Sequence, residues 1–179
     1  MRTATATLLG LLLGTPSVAV LADEVIRHPL PNNSTFPIAA AVEVPAGRTM
    51  VYLSGMVPPV ADPDAPRDSI EAYGDTRAQT ISVLEAIQAQ LGRMGLGLGD
   101  VIRMQVFLVG DPKLDGRMDF AGFMQGYSRY FGTDDQPRLP ARSTMQVAAL
   151  ANPGFLVEIE VTAVRPTATT VRAEDEEAP

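Results

Sequence analysis

The segment from Leu156 to Val164 constrains the fold most, because apolar and polar residues alternate through it with a period of two. One set of alternate residues is Val157, Ile159, Val161 and Ala163, and the other is Leu156, Glu158, Glu160 and Thr162. Since successive side chains of a strand point to opposite faces, this pattern predicts a strand with one apolar face. On the other face, the carboxylates of Glu158 and Glu160 would project side by side, about 7 Å apart.

Other segments of the chain are also typical of strands. Residues 101–109 alternate with the same period, whereas residues 49–54 form a short β-branched and aromatic run. The alternation in the first of these places Met104, Val106 and Leu108 opposite Arg103, Gln105 and Phe107. Two further strands are predicted at residues 143–150 and 155–164, joined by the turn sequence Asn152-Pro153-Gly154.

Two helices are predicted between these strands. The first follows the capping residue Asp75 and ends at glycines 95, 97 and 99; its apolar residues are Leu84, Ile87, Leu91 and Met94. The second begins near Arg117 and is closed by Gly132. Its apolar stripe, interpreted as core, consists of Phe120, Phe123, Met124, Tyr127 and Phe131. Residues 58–68 and 133–140 are predicted to be loops.

The order strand, strand, helix, strand, helix, strand, strand predicts an α+β fold, a mixed sheet with two helices on one face. Such a sheet leaves its second face to water or to another subunit. The rows of Met104, Val106 and Leu108 and of Val157, Ile159 and Val161 are too apolar to be exposed, which favours an oligomer in which one row is covered by a neighbour.

Both ends of the chain are predicted to lie outside this domain. Arg2, the apolar run of residues 8–13 and Val20-Leu21-Ala22 indicate a signal peptide at residues 1–22, cleaved after Ala22, with a periplasmic or secreted product. The alternative is an uncleaved start. Residues 166–179 are acidic and nearly devoid of apolar residues, which predicts a flexible tail. The domain therefore comprises residues 23–165.

Composition excludes several classes of chemistry. The chain has no cysteine, one histidine (His28) and one lysine (Lys113), so thiol chemistry, a polyhistidine metal site and cysteine-ligated metals are excluded. A formal net charge of −7 argues against binding along nucleic-acid phosphates. Carboxylates, hydroxyls, arginines and backbone amides remain available for catalysis.

Glu158 and Arg142 are the two candidate functional residues. A carboxylate that works as a general base needs a partly desolvated cleft, and the alternative for Glu158 is a solvated sheet face. Arg142 precedes Ser143 and Thr144 at the start of a predicted strand, where its guanidinium could bind a carboxylate bidentately. The alternative for Arg142 is a surface salt bridge.

Several motifs resemble those of the RidA/YjgF family of reactive-intermediate deaminases. The matching segments are Ser54-Gly55-Met56-Val57-Pro58, residues 101–108, Pro140-Ala141-Arg142-Ser143-Thr144, and residues 156–164. The two C-terminal motifs occur in the family's order, and the similarity extends over residues 36–165. On this basis the chain is identified as a member of the family.

The resemblance implies a chorismate-mutase-like α+β fold assembled as a homotrimer, with clefts between subunits. By the same resemblance, Arg142 binds the substrate carboxylate and Glu158 positions the attacking water, while Ser54, Gly55 and Thr144 line the pocket. The implied reaction is hydrolysis of a 2-imino acid or its enamine tautomer to a 2-keto acid and ammonia, with no metal or organic cofactor. The implied partners are a small imino or keto acid and further copies of the chain, without nucleic acid and without a stable membrane anchor.

Two pocket positions depart from the family pattern. Ile38 stands where a tyrosine is common, and Met124 where an asparagine is common, so the pocket is expected to be less polar. This leaves an alternative function open, a non-catalytic protein that binds small carboxylates such as keto acids. Endoribonuclease activity is a third hypothesis, disfavoured by the acidic balance, the single lysine and the lack of a histidine near Arg142.

Overall fold

The computed structural model describes residues 24–167. The predicted signal peptide and nearly all of the predicted acidic tail lie outside the described residues. The strands are β1 (Ile26–His28), β2 (Ala41–Glu43), β3 (Met50–Tyr52), β4 (Val101–Asp111), β5 (Arg117–Met118), β6 (Ala141–Val147) and β7 (Val157–Val164), and the helices are α1 (Thr76–Arg93) and α2 (Phe120–Tyr127). The predicted α+β class is confirmed.

The long strand β4 is the centre of a five-stranded mixed sheet. On one side β7 pairs with it antiparallel, and β3 pairs antiparallel with β7. On the other side β6 runs parallel to β4, and the short strand β5 pairs with the end of β4. Strands β1 and β2 form a separate two-stranded sheet, so three strands precede α1 where the sequence predicted two.

The register of β4 and β7 places their apolar rows side by side. Met104 faces Val161, Val106 faces Ile159 and Leu108 faces Val157. These six side chains are at most 3% exposed and belong to one core cluster with the buried residues of both helices. The expectation that one of the two rows would need a neighbouring subunit to cover it is therefore wrong, because both rows face the helices.

Helix α1 follows its prediction closely. The Asp75 carboxylate accepts a hydrogen bond from the Ala78 amide at 2.8 Å and so caps the first turn. Leu84, Ile87 and Leu91 are fully buried, as their spacing predicts. The helix ends before Gly95, which has a φ of +70°.

The second helix is shorter than predicted and begins later. Residues 117 and 118 pair with the end of β4 as strand β5, and Asp119 caps α2 by accepting from the Gly122 amide at 2.8 Å. Phe131 lies beyond the helix but remains in the core, 1% exposed. Gly132, with a φ of +76°, ends the turn that follows α2.

The strand boundaries differ from prediction near the C-terminus. Strand β6 spans residues 141–147 rather than 143–150, because it runs alongside residues 103–109 of β4. The predicted turn at residues 152–154 is present, with the Phe155 amide donating to the Asn152 carbonyl at 3.0 Å. It does not close a hairpin, since β4 lies between β6 and β7.

Within residues 24–167, neither helix is long and apolar enough to cross a membrane.

Gln79 is a buried polar residue that joins three parts of the fold. It is 0% exposed on α1, and its side-chain nitrogen donates to the carbonyls of Gly74 and Gly154, each at 2.9 Å. Its side-chain oxygen accepts from the Leu156 amide at 2.7 Å. One amide group therefore links the start of α1, the turn after β6 and the entry to β7.

We predict that Gln79→Met lowers the free energy of unfolding by about 3 kcal/mol, because it keeps the volume of the side chain but leaves buried backbone groups without partners. Urea unfolding measures the change. The control is Gln88→Met on the exposed side of α1, for which a change within about 0.5 kcal/mol is expected. Equal effects of the two substitutions would contradict the assigned role of Gln79.

Candidate functional site

Arg142 lies on the edge strand β6, and its guanidinium packs against three aromatic rings. In the parallel register it faces Met104, and its side chain lies on the face of the sheet that the helices cover. The guanidinium carbon is 4.2 Å from the ring centre of Tyr127, 5.0 Å from that of Phe123 and 5.4 Å from that of Phe36. These distances fall within the range for cation–π attraction.

The Arg142 guanidinium has unused hydrogen-bonding capacity. Its Nη2 lies 3.3 Å from the Met124 sulfur, while its Nη1 is buried and has no hydrogen-bond partner among the described residues. Burial lowers the pKa of Arg142, and the nearby Tyr127 partly offsets that effect. The only ion pair among residues 24–167 joins His28 to Glu43, so Arg142 does not form the surface salt bridge considered as its alternative.

Thr144 adds a second unpartnered group on the same strand. It faces Val106 and therefore shares the face of Arg142, whereas Ser143 points to the opposite face. Its hydroxyl oxygen is buried without a hydrogen-bond partner within the described part of the chain. Because buried polar groups are normally paired, two unpaired groups two residues apart mark a place where a polar ligand would be stabilised.

The segment before β2 contacts the aromatic residues around Arg142. The Tyr127 hydroxyl donates to the Pro37 carbonyl at 2.8 Å, and the Phe36 ring stacks against Phe120. Ile38 and Arg142 both line a cavity of about 250 Å³. Four of the predicted site residues, Ile38, Met124, Arg142 and Thr144, are thus brought to one region of the fold.

Glu158 belongs to a second group on the opposite face of the sheet. It faces Phe107 of β4 in the antiparallel register and is half-buried. Backbone hydrogen bonds of 2.9 and 3.0 Å between Met56 and Ile159 hold the Ser54-Gly55 segment against β7. A methyl group on Gly55 would overlap the Glu158 carboxylate, so the absence of a side chain there makes room for the acid.

One chain does not bring the two groups together. Arg142 and Glu158 lie on opposite faces of the sheet, and β4 lies between their strands. Two strand spacings alone separate them by roughly 10 Å. The residues predicted from the sequence therefore form two half-sites, one with the arginine and the other with the glutamate.

Sequence reasoning missed the aromatic residues around Arg142. Phe123 and Tyr127 were assigned to the core, which is correct, but they also form the wall against which the guanidinium lies. Burial raises the pKa of the Tyr127 hydroxyl, which therefore stays protonated and can donate to Pro37. Only the docking of α2 on β6 reveals this second role, since nothing in the stripe itself points to an arginine.

The described residues contain no group of three or more histidine, aspartate or glutamate side chains placed to hold a metal ion. The polar groups brought together are an arginine and a threonine in one half-site and a glutamate in the other.

Comparison with known sequences identifies a family and a relative of this chain. Residues 32–165 match the sequence model of the family described as Endoribonuclease L-PSP. The 3-aminoacrylate deaminase RutC of Acinetobacter baylyi is 33% identical over 130 residues, which are 73% of this chain and 90% of that protein.

Solved structures show the same fold. A Yersinia pestis protein of the Rid family, YyfB, superposes with a TM-score of 0.58 at 26% identity, covering 78% of this chain and 98% of that one. Escherichia coli TdcF, solved with bound serine, has a TM-score of 0.50 at 32% identity, covering 72% and 88%.

We predict that Tyr127→Phe lowers the free energy of unfolding by about 1 kcal/mol, because the partly buried Pro37 carbonyl loses its donor. Thermal or urea unfolding measures the loss. The matched control is Tyr130→Phe, which removes a 3.0 Å bond to Glu85 at the surface and should change stability by less than about 0.5 kcal/mol. If Tyr130→Phe has the larger effect, Tyr127 does not anchor the segment over Arg142.

Proposed function

The chain belongs to the L-PSP endoribonuclease family, to which the RidA/YjgF proteins belong, and from this premise we propose that it hydrolyses reactive 2-imino acids or their enamine tautomers to 2-keto acids and ammonia. The observation that carries the proposal is the desolvated Arg142 guanidinium, which has a buried Nη1 without a partner among the described residues. A relative named as a deaminase at 33% identity supports the same class of reaction.

Arg142 would bind the carboxylate that all such substrates share. A guanidinium presents parallel N–H donors that match the two oxygens of a carboxylate. Its position against Tyr127 and Phe123 fixes its plane, so little side-chain freedom is lost when the substrate binds. Thr144 would supply a further hydrogen bond from its unpartnered hydroxyl.

Glu158 would act on the attacking water. The carboxylate accepts a proton as the water oxygen forms a bond to the imine carbon, and the imine nitrogen takes up a proton from solvent. Protonated Glu158 then returns its proton to the amino nitrogen, which leaves as ammonia as the carbon–nitrogen bond breaks. The hydroxyl oxygen loses its proton to solvent as the carbonyl forms. Gly55 would allow substrate and water to approach this carboxylate closely.

The two half-sites would meet between subunits of a homotrimer. Since Arg142 and Glu158 lie on opposite faces of one sheet, a shared site needs Arg142 of one subunit beside Glu158 of the partner subunit. A closed ring of three identical contacts would produce three such sites.

We also propose that the protein is exported after cleavage at Ala22, on the pattern of its first 22 residues.

RNA cleavage is the less favoured activity, despite the name of the family. The net charge of −7 opposes binding to a polyanion. The single histidine, His28, is hydrogen-bonded to Glu43 at 2.6 Å on the small sheet, whereas a catalytic base would be needed beside Arg142.

A second candidate function is non-catalytic binding of small carboxylates. It is favoured by the apolar surroundings of Arg142, where Ile38 and Met124 supply no polar group that could take part in proton transfer. Under this alternative, keto acids would raise the melting temperature in an Arg142-dependent manner without any turnover of imines.

We predict that the protein releases keto acid from imino acids generated in situ by an amino-acid oxidase. Arg142→Ala should lower kcat/KM by about a hundredfold, corresponding to the loss of two hydrogen bonds to a charged group. Glu158→Gln should lower kcat by a factor on the order of 10² to 10⁴, as expected for loss of a general base. No acceleration by the parent protein would exclude the deaminase proposal.

The intersubunit site makes a separate prediction. When Arg142→Ala and Glu158→Ala chains are unfolded together and refolded as a mixture, about a quarter of the sites should combine an intact arginine with an intact glutamate. Activity should therefore be higher in the mixture than in either variant alone. A mixture as inactive as its components, with mixed oligomers confirmed by mass spectrometry, would place both residues in a site within one chain.

Gly55→Ala tests the close approach to Glu158. The added methyl group should displace the carboxylate and lower kcat roughly tenfold, because catalysis depends on placement to within an ångström. The melting temperature should change little, since the displaced atoms are the end of a flexible side chain. The control is Gly92→Ala on α1, where an added Cβ meets nothing within 4 Å and kcat should stay unchanged.

A further inference from the structure

A cavity of about 440 Å³ lies away from both half-sites and is lined by three arginines. Arg27 reaches it from β1, Arg48 from the turn before β3, and Arg138 from the loop before β6. Its rim includes Thr167, beyond the end of β7. Three cations around one cavity are unexpected in a chain with a net charge of −7.

Arg27 forms a fixed wall of this cavity. Its Nη2 donates to the carbonyls of Gly99 and Val101, and its Nε donates to that of Leu139, all at 3.0 Å. Burial lowers the pKa of Arg27, and the charge of Arg138 acts in the same direction. The carbonyl oxygens hold the side chain in place, but no carboxylate within the described residues lies within 4 Å of it.

Arg138 is the accessible cation of the cavity. Its guanidinium lies flat against Gly99, where any Cβ would overlap it. Within residues 24–167, the Arg138 side chain makes no hydrogen bond and no ion pair, so its donors are available to a ligand. Arg48 is held differently, since its Nε and Nη2 donate to the Arg165 carbonyl at 3.1 and 2.8 Å.

Two acidic residues, Asp100 and Glu24, also line the cavity, and the charge of Asp100 raises the pKa of Arg27. Asp100 directs Oδ2 to the Gly97 amide at 2.8 Å, which caps the turn before β4. Glu24 is the second acid at the rim. Among the described residues, neither acid forms an ion pair with Arg27 or Arg138. The like charges of these two arginines favour an anion between them.

We propose that this cavity is a binding site for a small oxyanion ligand, a phosphate or a carboxylate that Arg138 and Arg27 hold between them. The site is separate from the proposed deaminase site, because Arg142 and Glu158 do not line it. The cavity has room for an anionic group that is carried on a larger organic body. Occupancy of this site does not depend on whether the protein hydrolyses imines.

The first test uses inorganic phosphate and citrate as probes on the full-length protein, at constant ionic strength maintained with sodium chloride. Each probe should raise the melting temperature in a saturable manner, because a ligand that binds only the folded state stabilises it. Arg138→Ala should weaken the apparent affinity by about tenfold or more, and Arg138→Lys should restore part of it. Arg138 is suited to this test since its removal breaks no hydrogen bond within the described residues.

Two controls make the result specific. Arg93→Ala removes an arginine at the end of α1 that lies outside the cavity, and should leave the affinity unchanged. Arg142→Ala should also leave the phosphate affinity unchanged, which separates this site from the proposed substrate site. Equal loss of affinity in Arg93→Ala and Arg138→Ala, or no saturable stabilisation of the parent protein, would overturn the proposal.

The chain's own acidic residues are the competing source of carboxylates. They are neutralised in the full-length chain by Glu174→Gln, Asp175→Asn, Glu176→Gln and Glu177→Gln. Equal phosphate affinity before and after this change supports a site for a separate ligand. Binding that appears only after neutralisation would assign the cavity to the C-terminal carboxylates and overturn the proposal.

Discussion

The antiparallel ladder between β4 and β7 is the constraint on which the rest of the structure depends. Its register places Met104 against Val161 and Val106 against Ile159, so the two apolar rows form one continuous surface under the helices. A shift of one residue would turn either row to the opposite face and expose it. The same register then decides where Glu158 lies, because it must take the face that the core does not use.

The position of Arg142 follows from that ladder through a second pairing. Strand β6 runs parallel to β4, and its register directs Arg142 and Thr144 to the helix-covered face. There the guanidinium meets aromatic rings in place of carboxylates, an arrangement that keeps the cation desolvated while leaving a donor without a partner. Such an unpaired buried donor reduces stability, and under the proposed function the substrate carboxylate would provide the missing bond.

The two helices and Gln79 show which features of the fold local sequence patterns can predict. The capping carboxylate of Asp75 and the spacing of Leu84, Ile87 and Leu91 correctly predicted α1, because both signals act within a few residues. The start of α2 was misplaced, since Arg117 pairs with Asp111 across a short turn and that strand pairing outweighs the local helical pattern. Gln79 was missed for a different reason, because its partners Gly154 and Leu156 lie about 75 residues away in the chain.

The sequence by itself determined which faces of the strands are apolar, where α1 begins and ends, and which few side chains could do chemistry, because period, capping and composition are local properties. The resemblance of its motifs identified the family and implied that Arg142 and Glu158 act together in one site. Only the tertiary structure decided that these two residues stand on opposite faces with β4 between them. Strand order and register arise from contacts between segments far apart in the chain, and no local pattern contains them.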